Sequence, residues 1–372
     1  MKTIYFDNAA TTPLYKEVEE EMKKYLFEDY GNPSSIHFLG ERSRKALDSS
    51  RTLLARELGA KPHEIIFTSG ATESNNLAIQ GLSRFEREKK KILISSIEHP
   101  SVYNICNFLK KYGYEIISIP VNSEGILDLN FLSSFLQKNS SQVLLVSIIH
   151  VNNVLGVCQD LKKIGELCKK HSVPFHTDAA QSFVKIKINV RDCNITFLSA
   201  SAHKIGGPKG AGFIYIKEKT DLFPLFFGGH QEKNLRSGTE NVPSIVGFAK
   251  ALEVFKKTNS NSVQKLRDYL FKELEKIGGK INGSKEKRIF NNVHVSFPNK
   301  DSEYLVLALS EKGICVSSGS ACDTRNEGED NIFKALNIKE KNLGSIRISL
   351  SEKNTKKEVD FFLNELKKIL RS

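Results

Sequence analysis

Between residues 65 and 216 the chain repeats one device: a short apolar run, a turn, then a stretch with apolar residues at helical spacing. The runs are "EIIF", "KILIS", "EIISIPV", "QVLLVSIIHV", "VPFHTDA", "ITFLSAS" and "GAGFIYI"; the helical stretches include "ATESNNLAIQG", "SVYNICNFLKKYG", residues 129–137 and residues 161–171. Short apolar runs bounded by turn residues read as strands. Strands separated by helices are joined by crossovers, so the sheet they form is largely parallel and covered on both faces. The fold class is therefore α/β, with a mainly parallel central sheet between helices. In such sheets ligands bind at the carboxyl ends of the strands, so polar residues placed there are the candidates for chemistry.

Helical patterns over 17–27 and 41–58, the second stopped by Gly59, precede the repeating region. After it, "VPSIVGFAKALEVFKK" leads to the polar break "TNSNS" at 258–262. A helix near 263–277, the strand "NNVHVSF", a helix near 302–312, "GICVSS", the strand "SIRISL" and a last helix follow, and read as a smaller α+β unit. The expected division is a large domain over 15–257 and a small one built from 1–14 and 258–372.

A net charge of +12 raises nucleic-acid binding as a function. The basic residues are interleaved with Glu in stretches such as "RFEREKKK" and "KELEKIGGK", the pattern of a solvated helix face, so no direct nucleic-acid role is expected. No apolar run has membrane-spanning length, and "MKTIYFDNAATTP" lacks a signal-peptide core; the expectation is a cytoplasmic protein without a membrane partner. The six cysteines form no C-x-x-C pair and no zinc spacing, so no metal site is expected. Cys106, Cys158, Cys168 and Cys315 read as small core hydrophobes. Cys322 differs, because "VSSGSACDTRNEGED" sets it among Ser and Gly before an acidic stretch.

Five strand or helix ends carry chemistry. "SASAHKIGGPKGAG" presents Ser201, His203 and Lys204 where a strand meets a glycine-rich turn. A lysine there can be partly desolvated and so become an amine able to form a Schiff base; an exposed loop lysine fits the same stretch. "VPFHTDAAQS" ends an apolar strand on Asp178, which needs a cationic partner such as the nitrogen of a pyridine cofactor, or serves as a helix cap. "IIFTSGATESNNLAI" runs from strand to helix with Thr72 at the helix start, a phosphate cradle by its free N–H groups. His99, in "IEHPSVYN", can cover a planar cofactor and move protons, or simply cap a loop. Arg347, in "SIRISL", can clamp a carboxylate, or lie exposed on its strand. Their joint presence points to a pyridoxal 5'-phosphate (PLP) enzyme acting on an amino acid.

Along its whole length the chain resembles the NifS/IscS-type cysteine desulfurases, in the class V aminotransferase family of fold type I PLP enzymes. The motifs are "YFDNAATTP", "YGNPSSIH", "FTSGATESNNLAI", "EHPSV", "HVNNVLG", "HTDAAQS", "SASAHKIGGPKGAG", "LRSGTENVPSIVGFA", "SSGSAC" and "IRISL". The resemblance implies that Lys204 anchors PLP, Asp178 pairs with its ring nitrogen and His99 stacks on the ring. Gln181 and Asn153 hydrogen-bond near the ring oxygen or the substrate carboxylate. Ala71 (main chain), Thr72, Ser201 and His203 hold the phosphate, and Thr239 reaches the phosphate of the other subunit of a homodimer. Arg347 binds the carboxylate of L-cysteine. Cys322, on a mobile loop at about 317–330, takes the substrate sulfur as a persulfide, leaving L-alanine. It then delivers that sulfur to a scaffold or other acceptor protein for iron–sulfur assembly or tRNA thiolation, and could touch a nascent cluster.

Two positions depart from the family pattern: Val154 stands where "VNNE" has Glu, and His230 interrupts "GGG". The acidic segment 323–330 also departs, and bears on the choice of acceptor. A selenocysteine lyase or a class V aminotransferase would share most of these residues, though Cys322 would be dispensable in the aminotransferase. A basic RNA-binding or scaffold protein that keeps the fold is the non-enzymatic alternative.

Overall fold

A computed structural model describes residues 3–318, 332–338 and 343–371. In chain order the elements are β1 (Ile4–Tyr5), α1 (Lys16–Phe27), α2 (Phe38–Leu58), β2 (Ile65–Thr68), α3 (Ala71–Phe85), β3 (Lys91–Ser95) and α4 (Pro100–Lys110). Then come β4 (Glu115–Ile119), α5 (Leu129–Asn139), β5 (Val143–Ser147), α6 (Leu161–Lys170), β6 (Phe175–Asp178), β7 (Phe197–Ser201) and β8 (Gly212–Ile216). The chain continues through α7 (Val242–Phe255), α8 (Ser260–Lys276), β9 (Lys280–Ile281), β10 (Asn292–Pro298), α9 (Ser302–Glu311), β11 (Ile314–Cys315), β12 (Leu343–Ser349) and a C-terminal helix, Lys356–Arg371.

The central sheet has seven strands in the order β2-β8-β7-β6-β5-β3-β4. Every pairing is parallel except the two made by β8. The exception follows from the connection: β7 returns to β8 through the glycine-rich turn rather than a crossover helix, so β8 must run back alongside it. β5, β7 and β8 are buried along their whole length, which is why they appear in the sequence as continuous apolar runs.

Two smaller sheets lie apart from it. β12, β10 and β9 form one, and β1 pairs with β11 in the other. The polar break "TNSNS" is a helix start and not an open linker, since Asn259 accepts the Ser262 N–H at 3.3 Å and α8 begins at Ser260. One apolar cluster gathers around the central sheet and includes Tyr15, Val18, Phe175, Phe213 and Phe248. Another unites Ile4 and Phe6 with Leu270, Val293, Leu305, Ile346 and Phe362. Ile332 and Leu336 pack into the first of these, although β12 and the C-terminal helix belong to the second.

A buried ion pair fastens the β2 edge. Arg51 of α2 donates to both oxygens of Glu232, at 2.8 and 2.6 Å, and Glu232 also accepts the Phe67 N–H at 2.8 Å. The guanidinium lies 4.6 Å from the centre of the Phe67 ring. Removing one partner of such a pair strands a charge out of water. Arg51→Met should therefore lower the free energy of unfolding by ~3–5 kcal/mol, and Arg51→Met with Glu232→Gln should recover part of it; urea titration reads both.

Candidate active site

At the carboxyl ends of the central strands lies a cavity of about 480 Å³. It is lined by Ala71, Thr72, His99, Asn153, Asp178, Gln181, Ser201, His203, Lys204 and Arg347, together with Ala9, Ala10 and Thr11 from the N-terminal segment. Thr239 stands outside it and is exposed, just before α7. Cys322, with the rest of 319–331, lies outside the described residues.

One end of the cavity is built for an anion. The cap residue of α3, Gly70, has no side chain to satisfy the first N–H groups of the helix, so those of Ala71 and Thr72 face the cavity mouth with the helix dipole behind them. Gly70 has φ 153°, and Gly212 of β8 approaches so closely that a Cβ on it would lie 2.5 Å from the Gly70 Cα. Glycine is required at both positions for the loop to reach this shape. Ser201, His203 and Lys209 border the same region. Burial, then the charges of Lys204, Lys209 and Lys185, push His203 down to about 4, so its ring is neutral at pH 7. Its Nδ1 lies 3.1 Å from the Thr11 hydroxyl.

Asp178 ends β6 with both oxygens oriented. Oδ1 accepts the Ala180 N–H at 2.9 Å, and Oδ2 accepts Asn75 Nδ2 at 2.8 Å. The same Asn75 nitrogen donates to Ser101 Oγ at 2.8 Å, and the Ser101 N–H donates to His99 Nδ1 at 3.1 Å. With Nδ1 an acceptor, a neutral His99 carries its proton on Nε2. Asn75 and Ser101 thus tie Asp178 to His99. Sequence reasoning passed over both, since each is one polar residue among several near a helix start.

Lys204 Nζ donates to the carbonyls of Ala9 and Ala10, at 2.7 and 2.8 Å. Gln181 Nε2 donates to the same Ala9 oxygen at 2.8 Å. Arg347 is not an exposed strand arginine: it is 1% exposed and its guanidinium pairs with Asp7 Oδ1 at 2.6 Å. It also donates to the Asn153 carbonyl at 3.1 Å. Asp7 is a further residue missed in the sequence, where its position just before "NAATT" was the only signal. Val154 lies in the apolar cluster, and His230 is exposed beside Asn234, so neither lines the cavity.

Of the described cysteines, Cys106 and Cys168 are buried, while Cys158, Cys193 and Cys315 are half-buried. Burial pushes the thiols of Cys106, Cys158 and Cys168 up to about 12, which leaves them unreactive.

Comparisons with known proteins identify the family. Residues 4–362 match the aminotransferase class-V family model. The "Cysteine desulfurase IscS" of Dictyoglomus turgidum is 41% identical over 376 residues, spanning 99% of this chain and 95% of that protein. The protein of the same name from Methanosarcina thermophila is 40% identical, spanning 100% and 92%. A solved "NifS-like protein" superposes with a TM-score of 0.92 at 36% identity, with both chains fully covered. The chain belongs to the aminotransferase class-V family.

Enzymes of this family are PLP-dependent, and the cavity suits that cofactor. An uncapped helix start offers donors for a phosphate, Asp178 offers a buried acceptor for a protonated ring nitrogen, and Lys204 offers an amine for the aldehyde.

Beside the site, Glu98 has a buried carboxyl. Oε1 accepts Ser95 Oγ at 2.6 Å and the Ile149 N–H at 2.7 Å, and Oε2 has no partner among the described residues. Burial pushes the acid up to about 8, so the folded chain holds its proton through a range in which the unfolded chain has released it. Its contribution to stability is complete below the ordinary carboxylate range and is lost as pH rises through about 8. Glu98→Gln should remove this term, so that the urea midpoint falls less from pH ~5 to ~8 than in the wild type.

Proposed function

We propose that the chain is a PLP-dependent cysteine desulfurase that converts L-cysteine to L-alanine and passes the sulfur to a persulfide on Cys322. The observation that carries this reading is the meeting of Lys204, Asp178 and Arg347 in one cavity, in a chain about 40% identical to proteins named cysteine desulfurase. PLP supplies an electron sink for the substrate's α-carbon.

The chain's own residues do the rest. Ala71 N–H, Thr72, Ser201 and His203 hold the phosphate, and Asp178 keeps the ring nitrogen protonated. His99 covers the ring, with Gln181 and Asn153 at its polar edge. Arg347 takes the substrate carboxylate through a guanidinium already aimed by Asp7 and the Asn153 carbonyl. Lys204, which would anchor PLP, would also hold and move the proton at the substrate Cα through its Nζ. The Cys322 thiolate would then attack the substrate sulfur; the S–S bond forms as the Cβ–S bond breaks, and a proton taken up at Cβ together with the one returned to Cα by Lys204 completes L-alanine.

The persulfide supplies iron–sulfur assembly or tRNA thiolation through an acceptor protein. We place the enzyme in the cytoplasm as a homodimer in which Thr239 reaches the phosphate site of the other subunit; its exposure on its own subunit supports this. Residues 15–257 act as the cofactor domain, and 1–14 with 258–372 as the small domain. The separate packing of Ile4 and Phe6 from Tyr15 and Val18 supports that boundary.

Purified protein given L-cysteine and a reductant should release alanine and sulfide in equal amounts, and an absence of stoichiometric alanine would overturn the proposal. Cys322→Ala should abolish sulfide release yet keep the visible absorbance of the lysine-bound cofactor, whereas Lys204→Ala should lose that absorbance. Arg347→Lys should raise KM for L-cysteine about 10- to 100-fold, because a lysine cannot reproduce a forked, charge-assisted contact.

A further inference from the structure

Three consecutive residues, Glu232, Lys233 and Asn234, lie in the left-handed region, with φ 42°, 59° and 64°. Residues other than glycine enter that region singly, because the Cβ crowds the following carbonyl, so a run of three stands only where its surroundings hold it. Both flanks are held. Upstream, Glu232 is clamped by Arg51 and the Phe67 N–H, and the Lys233 amine donates to the His63 carbonyl at 2.6 Å. Downstream, Arg236 Nε donates to Glu73 Oε1 at 3.2 Å. Glu73 stands in the first turn of α3, at the wall of the large cavity, and its Oε2 accepts the Ser69 N–H at 2.8 Å. The exposed Thr239 follows Arg236 by three residues.

We infer that Arg236 is a positioning residue for cofactor binding in the other subunit: through its pair with Glu73 it fixes the arm 235–240, and so fixes where Thr239 stands. The inference rests on the reading that Thr239 reaches the phosphate site across a homodimer. Among the described residues, the other hydrogen bonds of 236–240 are local. The Ser237 hydroxyl donates to the Gly229 carbonyl at 2.8 Å, the Gly238 N–H donates to Gln231 Oε1 at 3.1 Å, and the Glu240 carbonyl accepts the Val242 N–H at 2.9 Å. These bonds join the arm to its own neighbours in sequence. The bond to Glu73 joins it to the body of the subunit, at the turn that forms the anion cradle.

Glu73 is the fixed end of the pair. It sits on a helix, its side chain is 8% exposed, and it keeps the Ser69 N–H whatever becomes of Arg236. Arg236 is the end that can move, on a segment with no helix or strand before α7 begins at Val242. Without Arg236 the subunit's own cradle therefore keeps its shape, while the arm loses its tie and the left-handed run is free to unwind. The loss is then felt in the other subunit's cavity. A pair that served only to neutralise Glu73 would act elsewhere: removing Arg236 would leave a bare carboxylate beside the phosphate end of its own cavity and weaken binding there. The two roles thus predict losses in different cavities of one dimer.

Hybrid dimers separate them. A dimer with one Lys204→Ala subunit has a single cavity able to form the lysine-bound cofactor, so visible absorbance reads the Kd for PLP at that cavity alone. With Arg236→Met placed on the Lys204→Ala subunit, the Kd should rise about tenfold over the hybrid carrying Lys204→Ala alone. With Arg236→Met on the subunit that keeps Lys204, the Kd should stay at that reference. Arg236→Lys on the Lys204→Ala subunit keeps a cation for Glu73 and should recover most of the loss. Arg236→Ala is read in place of Arg236→Met if that protein fails to fold. No loss in the first hybrid, or a loss as large in the second, would overturn the inference. Thr239→Val on the Lys204→Ala subunit checks the reading beneath it. A Kd at the reference there would overturn the placing of Thr239 across the dimer, and the inference with it.

Discussion

The hydrogen bonds from Lys204 Nζ to the carbonyls of Ala9 and Ala10 are the contact on which the site depends. They belong to a seam that residues 7–12 make with the Arg347 strand, Gln181 and the turn at 203–206. Asp7 pairs with Arg347, Asn8 Nδ2 donates to the Ser349 carbonyl at 2.8 Å, and the Ala9 N–H donates to Ser349 Oγ at 2.8 Å. On the other side the Thr12 hydroxyl donates to the His203 carbonyl at 2.9 Å and accepts the Gly206 N–H at 2.7 Å. The lysine turn and the arginine strand sit on different sheets, and this short segment fixes their separation. Preorganisation of that kind holds Lys204 and Arg347 at a fixed separation across the cavity.

The central sheet was legible because all but its β3 and β4 strands are buried along their whole length, which leaves unbroken apolar runs in the sequence. Asp178, Lys204 and the α3 start were legible for a related reason: a polar residue directly after such a run has few places to be except the ligand-binding edge. Asp7, Asn75 and Ser101 were not. Asp7 meets Arg347 across 340 positions of sequence, and Asn75 meets Asp178 across 103, so no local pattern could mark either. The reversal of β8 was equally silent, because a strand buried on both faces has the same composition in either direction. Residues 1–14 were expected in the small unit, yet their polar half bonds to Arg347 and Ser349 on one side and to Gln181, Lys204 and Gly206 on the other.

The interior divides its titratable groups by location. His150, His176 and His294 are fully buried, and burial pushes them down to about 4, 4 and 3, so the core carries them uncharged. His176 lies between two serines, with Ser147 Oγ at 2.7 Å and Ser199 Oγ at 3.1 Å. Some buried charges instead meet a partner, as at Arg51 with Glu232 and Arg347 with Asp7, while Arg288 donates to the backbone carbonyls of Ser284 and Asn282. Like charges adjoin at Arg267 and Arg288, both over the Phe271 ring, and at Lys185 and Lys204.

The seam also sets an order in time. β1 is made near the start of synthesis, but its partner β11 begins at Ile314, and the groups that receive Asp7, Asn8 and Ala9 arrive only with Arg347 and Ser349. A nascent chain can close much of its central sheet while the first dozen residues still wait. Until β12 has left the ribosome, Arg347 and Ser349 are missing and residues 9–12 have Gln181 and the 203–206 turn to hold them. The brace on Lys204 is therefore completed last, although the lysine itself is made with the central sheet.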